Sequence, residues 1–250
     1  MTVRYEVFGI EGIGEVRPGD DVAALVLAAA ARQSTPLVPG DLAVISQKIV
    51  SKAEGRLLRL PDVTPSSVAV AMAAGLGRDA RLVEVILRES RRVVRMDRGV
   101  LVTETHHGWV CANAGVDQSN VDADSVALLP EDPDRSARAL RERFSAAAGG
   151  GVCVVIADTF GRPWREGLTN IAIGVAGFAP LKSYLGERDP AGRPLQATIL
   201  ALADELAGAA EPVMGKLDRV PAAIVRGLTL KASEEGSKPL LRDPARDLFR

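Results

Sequence analysis

Aromatic side chains are scarce, at 4% of the 250 residues. The core must therefore be built mainly from Val, Leu, Ile and Ala, and a base-stacking platform for nucleic acid, which needs exposed rings, is excluded. Net charge is nearly absent too, at -1, so there is no broad basic field for nucleic acid or a membrane surface, and any anion must be held by a local site. No run reaches the ~18 uninterrupted apolar residues of a membrane span. The opening "MTVRYEVFGI" reads as lacking a charged leader followed by an apolar core. These absences predict a soluble, cytoplasmic protein.

The chain has two cysteines and two histidines. Cys111 and Cys153 each lie within an apolar strand-like run and read as buried free thiols suited to a reducing compartment. His106 and His107 are adjacent, so on a strand they face opposite ways and cannot chelate one ion, which excludes a His-rich zinc site. There is no Walker A loop and no GxGxxG after a strand. No GxSxG elbow occurs, nor a cysteine in a polar setting for a Cys-His hydrolase. "GIEGIGEV" has glycines that either form a plain turn or bring backbone N–H groups close to a phosphate or base.

What is present is 47% hydrophobic and 25% charged residues, a globular composition. "VRYEVFGI" reads as a strand. "PGDDVAALVLAAAARQ" reads as a helix capped by Asp20 or Asp21. "GDLAVISQKIVSKAEG" reads as a buried strand that turns polar. Helices are predicted at Pro65–Ala74, at about Asp79–Met96, at about Asp134–Ala147 and at Leu195–Ala210. "VLVTETHHGWVCANAGV" predicts a hairpin turning at His107–Gly108. "SVALLP", "GGGVCVVIADT", "TNIAIGVAGF" and "PAAIVRGL" are further strands. The tail from about residue 229 reads as irregular. Hairpin-like pairs without a strict βαβ rhythm favour an α+β fold over a doubly wound sheet.

Chemistry concentrates where apolar strands are expected to end. "VVIADTFGRPWREG" runs a buried strand into Asp158 and Thr159 before a turn with Arg162 and Arg165. "CANAGVDQSNVD" sets Asp117 and Asn120 in a loop of small residues. Two strand-end acids followed by polar residues suit a hard cation, Mg²⁺ or Mn²⁺, completed by phosphate and water. Ser46, Gln47 and Lys52 in "SQKIVSKAEGR" are donors suited to a guanine edge, a ribose or a phosphate, or else a solvated strand end. Lys216 in "MGKLDR" is a less specific candidate. Arg162 and Arg165 either clamp substrate carboxylates or a phosphodiester, or make ordinary ion pairs.

"SQKIVSKAEGR", "NAGVDQSN", "DTFGRPWREGLTNIAIGVAG", "DELA" followed by "MGK", and "VPAAIVRGL" occur in the order found in the coenzyme F420:L-glutamate ligase (F420 gamma-glutamyl ligase) family. The chain resembles that family from "GIEGIGEVRPGDD" to about Leu228. The resemblance implies a GTP-dependent ligase that adds L-glutamate to a deazaflavin F420 precursor and extends a γ-linked glutamate tail. It implies an α+β fold of mixed and antiparallel sheets with flanking helices, two interlocked subdomains and an intertwined homodimer. It also implies two divalent ions, Mg²⁺ or Mn²⁺, with a monovalent cation as a further expectation, and no nucleic-acid or membrane partner. By position, Asp117 and Asp158 match ligands of one metal and Thr159 a ligand of a second. Ile13, Gly14, Glu15, Val16, Gln47, Lys52 and Asn120 match GTP contacts, with Ser46 a neighbour. "MGKLDRV" departs from the glycine-rich acidic run of some relatives, so Lys216 replaces a metal-linked group with a direct charge.

The chain reads as a single ligase domain over 1–250. Its ending, "LLRDPARDLFR", resembles a junction after which some relatives continue into a nitroreductase-like domain, so a free-standing enzyme and a module of a longer chain are both open. The competing functions are a non-catalytic nucleotide-binding protein of the same fold, and a same-fold ligase using another acid or ATP.

Overall fold

A computed structural model describes residues 3–247. The chain starts with strand β1 (Glu6–Gly9) and helix α1 (Val22–Arg32). Asp21 is the N-cap of α1, its side chain accepting from the Ala24 N–H at 3.0 Å. Strand β2 (Leu42–Ser46) passes directly into helix α2 (Gln47–Ala53). The polar half of "SQKIVSKAEG" is thus helical: Ser46 caps it, accepting from the Lys48 N–H at 3.4 Å.

Strand β3 (Leu57–Arg59) and helices α3 (Ser67–Leu76) and α4 (Ala80–Arg88) follow. The expected helix at 79–96 is corrected here, because it stops at Arg88. Ser90–Asp97 forms strand β4, paired antiparallel with β5 (Val100–Thr105). Arg98 and Gly99 supply the two positive φ angles, 48° and 77°, that a tight hairpin turn requires. The β-branched Val93 then gains Thr103 as a ladder partner, with Val94 at a bulge, and this pairing outweighs local helical spacing.

Strand β6 (Val110–Ala112) completes the 105–110 hairpin, and β7 (Ser125–Ala127) pairs with β3. Helix α5 (Pro133–Ala148) leads to β8 (Cys153–Arg162) and β9 (Arg165–Ala176). The second correction lies here, since β8 does not end at Asp158 and Thr159. It runs on to Arg162 and turns through Trp164 at φ 55°. Strands β10 (Lys182–Ser183) and β11 (Ile199–Leu200) form a small ribbon. Helix α6 (Leu202–Met214) therefore starts later than residue 195, and β12 (Ala222–Arg226) ends the regular elements. Beyond it the described tail is irregular apart from short 3-10 turns at Lys238–Leu240 and Pro244–Arg246. It is tied down where the Ser237 N–H donates to Asp134 at 2.9 Å.

The main sheet has the order β1-β12-β2-β8-β9. Only β2 and β8 run parallel; the other pairs are antiparallel. Side-chain alternation splits its strands between two cores. Ala43, Ile45, Val154 and Ile156 pack with residues of α1 and α5 on one face. Leu42, Val44, Val155 and Ala157 pack with α6 on the other. A third core lies among α3, α4, β5 and β7, with Val83, Ile86, Leu101 and Val126 at its centre. The fold is α+β with mixed and antiparallel sheets, as expected. Among the described residues no helix is long and apolar enough to cross a membrane. Both cysteines are free: Cys111 is buried and Cys153 half-buried.

Candidate functional site

The parallel pair β2–β8 opens at its C-terminal ends into a cleft of about 1380 Å³. Ile13, Gly14, Glu15, Val16, Ser46, Gln47, Lys52, Asp117, Asn120, Asp158, Thr159 and Lys216 all line it. Residues spread over two hundred positions meet there because β2 and β8 pair in register, Ser46 beside Ala157. Asp158 and Thr159 follow at once on β8.

Helix α2 sorts the donors. At spacing i, i+4, Gln47 and Ser51 share one face, and the buried Ser51 hydroxyl donates to Gln47 Oε1 at 2.8 Å. Lys48 and Lys52 share another. Buried Lys52 pairs with the exposed Glu15. Lys48 Nζ lies 2.6 Å from Asp117 Oδ2 and donates also to the Ser119 carbonyl at 2.9 Å. Lys48 was not among the expected site residues, although it sits inside the quoted motif.

Asp117 is brought to the cleft by a loop with left-handed φ at Asn113 (55°), Ala114 (54°) and Gly115 (70°). At Gly115 a side chain would also collide with Leu129. A reciprocal pair of backbone hydrogen bonds to Ala127, at 2.8 and 3.0 Å, holds Asp117 to the end of β7. Burial raises the Asp117 pKa, but hydrogen bonds from Lys48 and Ser119 outweigh this and hold it below the usual carboxylate range.

Asp158 behaves oppositely. Enclosure by protein pushes its pKa up to about 6. The Thr159 N–H, donating at 2.8 Å, opposes the rise, the negative charge of Asp117 adds to it, and Lys216 and Lys48 lower it. The two carboxylates feel one another with cations nearby, although 41 positions separate them. Cys111 is pushed up to about 12, by burial first and by Asp158 second, so it is an inert thiol.

Thr159 faces the α6 side of the sheet. Its Oγ1 donates to Oδ1 of Asn170 at 2.8 Å, and Asn170 Nδ2 donates to Glu211 Oε2 at 2.7 Å. Asn170 is buried, and its backbone is the direct cross-strand partner of Thr159. Asn170 and Glu211 also line the cleft. Sequence reasoning missed both; Asn170 lay within the strand "TNIAIGVAGF", and only a correct β8–β9 register would have paired it with Thr159.

Arg162 and Arg165 are not brought to this cleft. They face each other at the exposed end of the β8–β9 hairpin, where Arg162 donates to the Glu166 carbonyl at 2.7 Å. Neither is among the residues that line the cleft of a single chain, because β8 continues past Asp158 and carries them towards the hairpin end.

Among the described residues no cluster of three or more His, Cys, Asp or Glu side chains is arranged to hold a metal. Asp117, Asp158 and Thr159 bring two carboxylates and a hydroxyl, all oxygen donors, to the cleft lining. That set fits a hard cation completed by ligand and water, and does not fit zinc or copper.

The family model described as F420-0:Gamma-glutamyl ligase matches residues 11–227. The coenzyme F420:L-glutamate ligase of Methanothermobacter thermautotrophicus is 46% identical over 247 residues, 98% of each chain. That of Methanopyrus kandleri is 47% identical over 254 residues, covering 100% of this chain and 98% of the relative. That of Archaeoglobus fulgidus is 39% identical over 249 residues, 99% and 97%. With a family model spanning most of its length and relatives this similar from end to end, the chain belongs to the F420-0:gamma-glutamyl ligase family.

Proposed function

We propose that the chain is a GTP-dependent ligase that joins L-glutamate to the deazaflavin F420 precursor and then extends a γ-linked glutamate tail. The observation that carries this reading is the enclosed Asp158 beside Asp117, in the same cleft as Gln47, Lys52 and Asn120.

A carboxylate is a poor electrophile. In the proposed reaction a carboxylate oxygen of the precursor attacks the γ-phosphorus of GTP, the bond to the β-phosphate oxygen breaks, and GDP leaves. The glutamate amine then attacks the acyl carbon of the acyl phosphate. A C–N bond forms, the C–O bond to phosphate breaks, and the amine loses a proton. The protein contributes mainly position and charge.

Lys52 and Lys216 offset phosphate charge in this scheme, with Lys52 exchanging Glu15 for the nucleotide. Gln47, Asn120 and the Ile13–Val16 segment hold the nucleotide, with Ser46 adjacent. Asp117 and Asp158 would hold a divalent cation, Mg²⁺ or Mn²⁺, with Thr159 at a second, supplying positive charge to phosphate oxygens. Residues 1–250 act as one ligase domain, and the working form is a homodimer. A substrate role for Arg162 and Arg165 belongs to that dimer, since the chain's own cleft excludes them.

Incubation of the purified protein with precursor, GTP, Mn²⁺ and glutamate, followed by mass spectrometry, tests the reading. Products heavier by one or more glutamyl residues, formed with GDP, are expected. GTP binding without product would identify a non-catalytic nucleotide-binding protein. Product formed equally well with ATP would overturn the GTP assignment.

A further inference from the structure

The hydrogen bonds behind Thr159 have a determined direction. The Asn170 amide nitrogen donates to Glu211 Oε2 at 2.7 Å, a carboxylate oxygen being an acceptor. That leaves the Asn170 carbonyl oxygen facing Thr159 Oγ1 at 2.8 Å, and a carbonyl only accepts. The Thr159 hydroxyl must therefore spend its single proton on the buried Asn170 and not on a molecule bound in the cleft. Its remaining capacity is lone pairs alone.

We propose that Asn170, held by Glu211, is a positioning residue that commits the Thr159 hydroxyl proton inward, so that Oγ1 meets the cleft as an obligate acceptor for a cation. This rests on the divalent-ion reading above. A hydroxyl free to rotate offers a proton as readily as a lone pair, and a cation is repelled by the first. The relay removes that choice in advance at a cross-strand site, where Thr159 and Asn170 are backbone neighbours and Asn170 is 4% exposed. The chain Glu211–Asn170–Thr159 also links α6 to β9 and β8.

The test is Mn²⁺ binding to the full chain in the presence of GDP, followed by the electron paramagnetic resonance signal of free Mn²⁺. Groups that orient metal ligands are worth roughly 10–100-fold in metal affinity. Asn170→Ala and Thr159→Val should each weaken Mn²⁺ binding by about 10-fold or more. Because Asn170 acts through Thr159, the double variant should be no weaker than Thr159→Val alone. In turnover, the Mn²⁺ concentration for half-maximal rate should rise in Asn170→Ala while kcat at saturating Mn²⁺ recovers. Thermal unfolding of each variant checks the fold. If Asn170→Ala does not fold, Glu211→Ala, which frees the amide to turn over, should show the same loss of affinity. Wild-type affinity in Asn170→Ala or Glu211→Ala, or losses that multiply in the double variant, would overturn the proposal. Wild type that binds no Mn²⁺ would instead overturn the underlying metal reading, and this inference with it.

Discussion

Two carboxylates in different regions show how the molecule divides its work. Glu84, on α4 in the third core, accepts from the Ser66 N–H at 2.9 Å and from Arg88 at 2.9 Å. The hydrogen bonds from Ser66 come first and Arg88 adds to them, and its pKa falls to about 2. Asp158, at the mouth of the β2–β8 pair, has one backbone donor and an acid for a neighbour, and its pKa rises to about 6. Both sit beside packed elements. In one region the chain gives Asp79, Glu84 and Glu89 each an arginine partner, and the helices α3 and α4 gain from it. In the other it leaves a charge under-compensated, which is unfavourable for folding unless something from outside completes the site.

The sharpest way to break that comparison is Asp158→Asn. The substitution should slow glutamate ligation by on the order of 10²-fold or more, as for loss of one electrostatic stabiliser. It should also raise metal-free stability at pH 7 by about 2 kcal/mol. The sign follows from linkage: a carboxyl with a raised native pKa binds protons more tightly when folded, so wild-type stability falls as pH rises from about 4 through about 6. Denaturant titrations of both proteins at pH 4 and pH 7 check it, and a stability gain that persists at pH 4 would contradict the enclosure argument.

Gly174→Ala tests whether the sheet beneath the cleft is as tightly packed as it looks. A Cβ there would collide with the Pro133 carbonyl at the start of α5, and overpacking of this kind costs about 1–3 kcal/mol. A drop in the unfolding midpoint is expected, with little change in the ratio of kcat to KM among the folded molecules.

Lys48→Met removes the cation that Asp117 holds. Metal-free stability should fall by about 1 kcal/mol, a value already reduced for solvent at a partly exposed pair. Added Mn²⁺ should close part of that gap, because two unneutralised acids then have a cation of another kind. Thermal melts with and without Mn²⁺ measure the difference, and an equal loss in both conditions would show that Lys48 and a cation do not share Asp117.

Glu84→Gln is the smallest change, at the other pole of the comparison. It should cost about 0.5–1 kcal/mol at pH 7. A carboxyl with a depressed native pKa contributes stability above about pH 4.5 that is lost as pH falls towards 2. The difference between variant and wild type should therefore shrink as pH falls from about 4.5 towards 2, where the folded glutamate is half protonated.

The misreadings share a cause. The segment 90–97 has apolar spacing that passes for the end of a helix, but it pairs with β5, and a sheet ladder is invisible to local periodicity. Asp158 and Thr159 looked like a strand end because polarity begins there. The strand goes on because β9 supplies partners as far as Arg165, and that extension is what removes Arg162 and Arg165 from the cleft. Lys48 was passed over because a strand end gives no reason to prefer it over Lys52, whereas a helix places both on one face.

By itself the amino-acid sequence determined the α+β class, most apolar strands, an aspartate cap at Asp20 or Asp21 and the motifs that mark the family, because these depend on short-range spacing and on residue chemistry. Which acid lies near which, that Asp158 is under-compensated while Asp117 is not, and which way the Thr159 proton points were decided only in the tertiary structure. Those properties arise from groups 11 to 69 positions apart in the chain, and their energies depend on enclosure and partner geometry, which exist only once the sheet has formed.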